Sequence, residues 1–75
     1  MNKVWKVTTD NISIVADELG VDYMELAIKA AFAEDLGCTV FGVLKPDGKH
    51  ELKMLTNSVV EGYEGSIEDK LALEL

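Results

Sequence analysis

The chain of 75 residues is long enough for one domain (residues 1–75), and its apolar content of 48% excludes a disordered chain. Fourteen acidic residues and seven lysines, with no arginine, give a net charge of −7. Because arginine supplies the paired donors that hold phosphates and guanines, this composition argues against direct nucleic-acid binding and favours a basic partner.

Cysteine content and hydropathy predict a cytoplasmic protein. The single Cys38 cannot form an internal disulfide, which is typical of a reducing compartment. Residues 1–11 lack the apolar run of a signal peptide, and no apolar stretch approaches the ~20 residues that cross a bilayer. A lone domain of this size often has only ~3–5 kcal/mol of core stabilisation, so we expect a homodimer.

A strand and a helix are predicted first. Residues 3–8 are rich in β-branched and aromatic side chains and predict a strand. Asn11 or Asp10 is expected to cap a helix that ends at Gly20. The predicted apolar face of this helix consists of Ile12, Val15, Ala16 and Leu19.

The second predicted helix has the clearest start signal in the chain. Asp22 followed by Glu25 resembles a capping box, and the helix is expected to run to about Leu36 and stop at Gly37. Apolar side chains cover most of its circumference. This distribution predicts a central helix that contacts the sheet or a second subunit on more than one side.

A hairpin and a terminal helix complete the predicted fold. Residues 38–45 and 50–55 predict paired strands, and Gly48 suits the positive φ of the turn between them. Residues 56–65 are expected to extend the sheet or form a loop. Ser66 and Asp69 begin a helix whose apolar face would be Ile67, Leu71 and Leu75. The prediction is an α+β fold of order β-α-α-β-β-α with about three antiparallel strands.

Residues 15–31 resemble the helix-turn-helix family, and the hairpin that follows resembles its winged form. The matching positions are Val15, Ala16, Leu19, Gly20, Val21 and Leu26. The resemblance implies a helix-turn-helix pair and a DNA-binding transcriptional regulator, with Lys45, Lys49 and Lys53 of the hairpin as DNA contacts. The resemblance also implies that the second helix exposes Asp22, Tyr23, Met24, Glu25 and Ile28, with Lys29 nearby. The two carboxylates among them suit neither phosphates nor most base edges.

Two acidic pairs lie where helix electrostatics disfavour them. Asp17–Glu18 and Glu34–Asp35 fall in the last turns of the two predicted helices, where the helix dipole opposes each carboxylate by ~0.3–1 kcal/mol before solvent screening. This placement favours selection for a negative surface. The alternatives are ordinary surface variation, a solubilising surface, or neutralisation by Lys3, Lys6 or Lys45.

In size, charge and lack of catalytic motifs the chain resembles small acidic phage-encoded DNA mimics, which occupy the DNA site of a basic host protein. The resemblance implies a non-enzymatic inhibitor in the host cytoplasm, without a cofactor or metal and without direct nucleic-acid binding. The carboxylates that would stand in for phosphates are Asp17, Glu18, Asp22, Glu25, Glu34, Asp35, Glu61, Glu64, Glu68 and Asp69. A small adaptor or assembly protein that uses the apolar second helix is the other alternative.

Catalytic and metal-binding patterns are missing from the sequence. His50 is predicted to face solvent, and Cys38 is expected to be a small buried apolar residue. One cysteine and one histidine are too few for a zinc site. Trp5 is expected to pack on the sheet; if exposed, Trp5, Tyr23 and Tyr63 would be interface anchors.

Overall fold

Seven elements follow one another in the computed structural model, which describes residues 1–74. They are β1 (Lys3–Lys6), α1 (Ile12–Leu19), α2 (Tyr23–Asp35), β2 (Cys38–Leu44), β3 (His50–Thr56), α3 (Asn57–Gly62) and α4 (Ile67–Leu73). The predicted α+β class is confirmed, and so is the predicted order of elements, with α3 as an additional helix.

The sheet has three antiparallel strands, with β2 between β1 and β3. In the turn of the hairpin, the Lys45 amide donates to the Lys49 carbonyl (2.8 Å) and the Gly48 amide donates to the Lys45 carbonyl (3.0 Å). Gly48 has a φ of +89°, a conformation that glycine adopts without a Cβ clash. Both the hairpin and its turn are therefore as predicted.

Helices pack on both faces of the sheet because successive side chains of β2 point in opposite directions. Val40 belongs to a buried cluster with Val15 of α1 and Leu26 of α2. Phe41, the next residue, belongs to a second cluster with Ile67 and Leu71 of α4, and Val60 of α3 packs against it. The sheet thus separates an α1–α2 layer from an α3–α4 layer.

The start of α1 differs in detail from its prediction. All four residues of the predicted apolar face are buried. Asn11 occupies the N-cap position, but its side chain makes no capping hydrogen bond. Its Oδ1 accepts from the Thr8 amide, and its Nδ2 donates to the Lys6 carbonyl, both at 2.8 Å. Asn11 therefore stabilises the loop between β1 and α1.

The second helix begins as predicted and packs against β2 and α1. The Asp22 carboxylate accepts a hydrogen bond from the Glu25 amide (3.3 Å), and the chain turns at Gly37 with a φ of +70°. Leu26 and Ala33 are its only buried residues. The helix contacts both β2 and α1, as a helix expected to pack on more than one side should, but the side that carries Met24, Ile28 and Phe32 stays exposed within residues 1–74.

A short helix, α3, occupies most of the segment 56–65, where a strand or loop was predicted. The Thr56 hydroxyl accepts a hydrogen bond from the Val59 amide (3.4 Å) and so caps the helix. The β-branched pair Val59–Val60 favours a strand locally. Packing of Val60 against the Phe41 cluster offsets that preference.

The cap predicted for the last helix is confirmed. The Ser66 hydroxyl accepts a hydrogen bond from the Asp69 amide (3.3 Å), and Ile67 and Leu71 are buried. Leu75, the third residue of the predicted face, lies outside the described residues. Within residues 1–74, no helix combines the length and the apolar character needed to cross a membrane.

Gly42 lies where β2 passes closest to α1, so a larger residue should destabilise the fold. A Cβ at this position would lie 2.8 Å from Leu19 Cδ1 and 3.1 Å from Val15 Cγ1. We expect Gly42→Val to lower the free energy of unfolding by about 1–3 kcal/mol through overpacking, measured by urea denaturation. Gly62→Ala is the control, because nothing lies within 4 Å of its added Cβ. Equal stability of the two variants would contradict this prediction.

Candidate functional site

The ten carboxylates predicted as site residues are all exposed, and the sheet divides them into two groups. The α1–α2 layer carries Asp17, Glu18, Asp22, Glu25, Glu34 and Asp35. The α3–α4 layer carries Glu61, Glu64, Glu68 and Asp69. The two layers lie on opposite faces of the sheet, so the two groups are separate surfaces. The larger group is the candidate site, and the smaller one is a second acidic surface.

No lysine neutralises these carboxylates within residues 1–74. The ion pairs there join Lys45 to Glu51 (3.1 Å), Lys53 to Glu51 (4.0 Å) and Lys53 to Glu74 (2.7 Å). The last turns of α1 and α2 contain no basic residue. Within residues 1–74, neither Lys3 nor Lys6 nor Lys45 therefore neutralises the helix-end pairs.

An apolar stripe runs along the outward side of α2. Met24, Ile28 and Phe32 recur every four residues and are 59%, 64% and 61% exposed, and Leu36 follows directly after the helix at 58%. Met24 and Phe32 are eight residues apart, about 12 Å along the helix axis. We call these four residues the α2 stripe. Contiguous exposed apolar surface of this kind is typical of interaction sites.

Carboxylates lie at both ends of the α2 stripe. Asp22 and Glu25 lie at the N-terminal end of α2, and Glu34 and Asp35 at its C-terminal end. At 100° per residue, Glu25 and Asp35 lie within about 60° of Ile28 around the helix. Residues 10–37 carry seven carboxylates and one lysine, a net charge of −6. The stripe is thus an apolar centre between two negative ends.

A groove of about 560 Å³ lies beside the same helix. Tyr23, Ala30, Ala31 and Glu34 are among the α2 residues that line it. The rest of its lining comes from residues 6–9, Ile12 of α1, the start of β2 and Asn57. Because Ala31 is also close to the stripe around the helix, the groove and the stripe form one continuous surface.

No family model, curated protein or solved structure matches this chain. The candidate site is therefore defined by its own residues, and both resemblances stay predictions.

The α1–α2 pair has the tight connection that a helix-turn-helix requires, but its exposed surface does not suit DNA. Gly20 has a φ of +71° and donates to the Asp17 carbonyl (3.2 Å). The outward side of α2 is apolar and acidic. Of the three hairpin lysines, Lys45 and Lys53 are held by carboxylates. Within residues 1–74, Lys49 is therefore the one hairpin lysine that forms no ion pair.

Among the remaining candidate residues, Tyr23 and Cys38 line the groove beside α2. Cys38 is half-buried at the start of β2, and exposed His50 pairs with Leu44 at its other end, about 20 Å away along the strand. Trp5 is half-buried against the core, as predicted. Tyr63 lies under the Lys70 ammonium group, 5.4 Å from the ring centre.

The Lys53–Glu74 pair predicts a pH-dependent contribution to stability. The hydrogen bond from Lys53 lowers the pKa of Glu74 and raises that of Lys53. A carboxyl group whose pKa is lower in the folded state than in the unfolded state stabilises the fold at pH values above its unfolded pKa. This stabilisation is lost as the pH falls through the folded pKa. We expect Glu74→Gln to lower the thermal midpoint slightly at pH 7 and to leave it unchanged in strong acid. Glu64→Gln is the control, because Glu64 lies outside the helices and forms no ion pair within residues 1–74, and an equal decrease there would contradict the prediction.

Sequence reasoning did not assign the α2 stripe as site residues. The available signal was that α2 has more apolar positions than one buried side requires. That signal supported the adaptor alternative, and the helix-turn-helix resemblance implied that Met24 and Ile28 are exposed, as they are in the structure. Neither signal extended to Phe32 and Leu36.

Proposed function

We propose that the protein is a non-enzymatic binding protein that occupies the nucleic-acid-binding surface of a basic partner, as acidic DNA mimics do. The observation that carries the proposal is the set of six exposed carboxylates on the α1–α2 layer, none of which forms an ion pair within residues 1–74. Two of its acidic pairs also lie at helix ends that disfavour them.

Charge complementarity is the physical basis of this binding. DNA presents a regular array of negative charge, and proteins that bind it carry clustered lysine and arginine side chains. Carboxylates from Glu25 to Asp35 extend over about 15 Å of helix and offer such a surface an alternative set of acceptors. A field of this sign increases the rate of encounter with basic proteins and repels nucleic acid.

The two alternatives differ from this proposal in measurable ways. A helix-turn-helix regulator would bind DNA itself, and a mobility shift at low salt would reveal it. An adaptor would bind mainly through the apolar stripe and remain bound at high salt. The proposed inhibitor binds no DNA, and its partner is released as salt increases.

A capture experiment with competing DNA tests the proposal. The tagged protein is immobilised, exposed to a nuclease-treated bacterial lysate, washed at increasing salt and then challenged with double-stranded DNA. We expect retention of a nucleic-acid-binding protein that both salt and DNA release. In a mobility-shift assay, the chain should prevent that protein from binding DNA. Retention that neither salt nor DNA reverses would refute the proposal.

Cytoplasmic location and homodimerisation remain separate expectations. The proposal places the protein in the cytoplasm, where a nucleic-acid-binding partner and a reduced Cys38 would be found. Sedimentation over a range of protein concentrations would detect a homodimer without any partner.

A further inference from the structure

We infer that the α2 stripe is the apolar anchor of this same binding site, and that it docks on a basic protein surface with an apolar patch between two groups of lysine or arginine side chains. The inference rests on the proposed function and adds the chemistry of the partner's surface. Two features of α2 support it: the regular exposure of its apolar side chains and the position of its charges.

The spacing of the stripe suits a helix that docks in a groove. Met24, Ile28 and Phe32 lie on one side of α2, and each is more than half exposed. Apolar anchors at intervals of three or four residues are the usual pattern of helices that bind in this way. Leu26 and Ala33, on the opposite side of α2, are the residues of this helix that are buried in the chain's own core. Packing of residues 1–74 therefore does not account for the stripe.

The charges at its ends favour a basic occupant over a second copy of the chain. An antiparallel copy would place Glu25 beside the other copy's C-terminal carboxylates, and a parallel copy would place identical carboxylates side by side. Lys29 is the sole cation in residues 10–37, against seven carboxylates. Like charges brought together in an interface oppose association, whereas lysine or arginine at both ends of the patch would pair with them.

The groove beside α2 extends this surface. Glu34 and Lys6 are the charged residues of its lining, and the rest of the lining is apolar or uncharged polar. A long basic side chain of the partner would place its methylene groups along Ala27 and Ala30 and its charge at Glu34. This contact would complement the apolar anchor without requiring a change in the fold.

Site-specific photocrosslinking tests where the partner binds. The crosslinking residue p-benzoylphenylalanine replaces Phe32 in one variant and Val59, an exposed residue of the α3–α4 layer, in the control. Both are irradiated in nuclease-treated bacterial lysate. We expect the Phe32 variant alone to crosslink a basic protein, through a peptide that contains apolar residues beside lysine or arginine.

Three other outcomes would overturn the inference, and they separate it from the proposed function. Crosslinking of Phe32 to a second copy would make the stripe a dimer interface. If a basic partner that salt and DNA release is captured but does not crosslink at Phe32, the inference fails and the proposed function stands. If no such partner is captured, both fail.

Binding kinetics give a second test with the captured partner. We expect Ile28→Ser to accelerate dissociation by about tenfold and to leave the salt dependence of association unchanged. Glu34→Gln with Asp35→Asn should instead slow association. All three positions are exposed, and circular dichroism would verify that each variant folds. Unchanged dissociation in Ile28→Ser would overturn the role of the stripe as an anchor.

Discussion

Replacing Phe41 with alanine is expected to lower the free energy of unfolding by about 3–5 kcal/mol. Phe41 is fully buried at the centre of β2 and packs against Ile67 and Leu71 of α4. Its removal would leave a cavity between the sheet and the α3–α4 layer. Because a lone domain of this size often has only ~3–5 kcal/mol of core stabilisation, much of the variant should be unfolded at room temperature. Urea denaturation followed by circular dichroism measures the loss.

The same substitution at Phe32 is the matched control. Phe32 is 61% exposed on the α2 stripe, so Phe32→Ala should change the free energy of unfolding by less than about 0.5 kcal/mol. It should nevertheless weaken binding of the partner. Comparable destabilisation by the two variants would mean that Phe32 is covered in solution, and sedimentation would show whether a second copy covers it.

The elements that sequence predicted best are those where several local signals agree. In α1, the spacing of its apolar residues and the left-handed Gly20 both mark a helix of two turns. In the hairpin, two apolar runs flank residues 46–48, whose conformational preferences fit the turn. Local physical chemistry is enough for such segments, because tertiary packing adds to the same preferences.

Prediction was wrong where tertiary packing opposes or extends the local preference. Val59 and Val60 favour an extended chain, but the Thr56 cap and the contact of Val60 with the Phe41 cluster produce α3. For α2, the pattern of residues predicts which positions are apolar. It does not predict how many neighbouring elements pack over those positions. That number depends on the position of α2 in the layer, which only the folded chain defines.

The predicted carboxylates illustrate the same limit. Their exposure followed from their type, whereas their division between two faces of the sheet depended on which helices pack with Val40 and which pack with Phe41. Sequence alone does not indicate where Glu34 lies relative to Glu61. The fold places them in different layers. The arrangement turns a general acidic character into two surfaces that can be tested separately.

Neutralising the helix-end carboxylates should slow association with the partner by roughly 10- to 1000-fold at low salt. The variant converts Asp17 and Asp35 to asparagine, and Glu18 and Glu34 to glutamine. It should also be slightly more stable than the natural chain, because each carboxylate opposes a helix dipole. Stopped-flow association and thermal unfolding measure the two effects.

A second variant with the same change in charge shows whether position or total charge matters. Converting Glu61, Glu64, Glu68 and Asp69 to amides also changes the net charge from −7 to −3, but on the α3–α4 layer. If the α1–α2 layer binds the partner, this variant should keep most of the association rate, whereas the helix-end variant should lose it. Equal slowing would mean that net charge alone steers binding. The helix-end variant could also become more stable without any decrease in its association rate. That result would mean that the four helix-end carboxylates are ordinary surface variation, the alternative that the sequence left open.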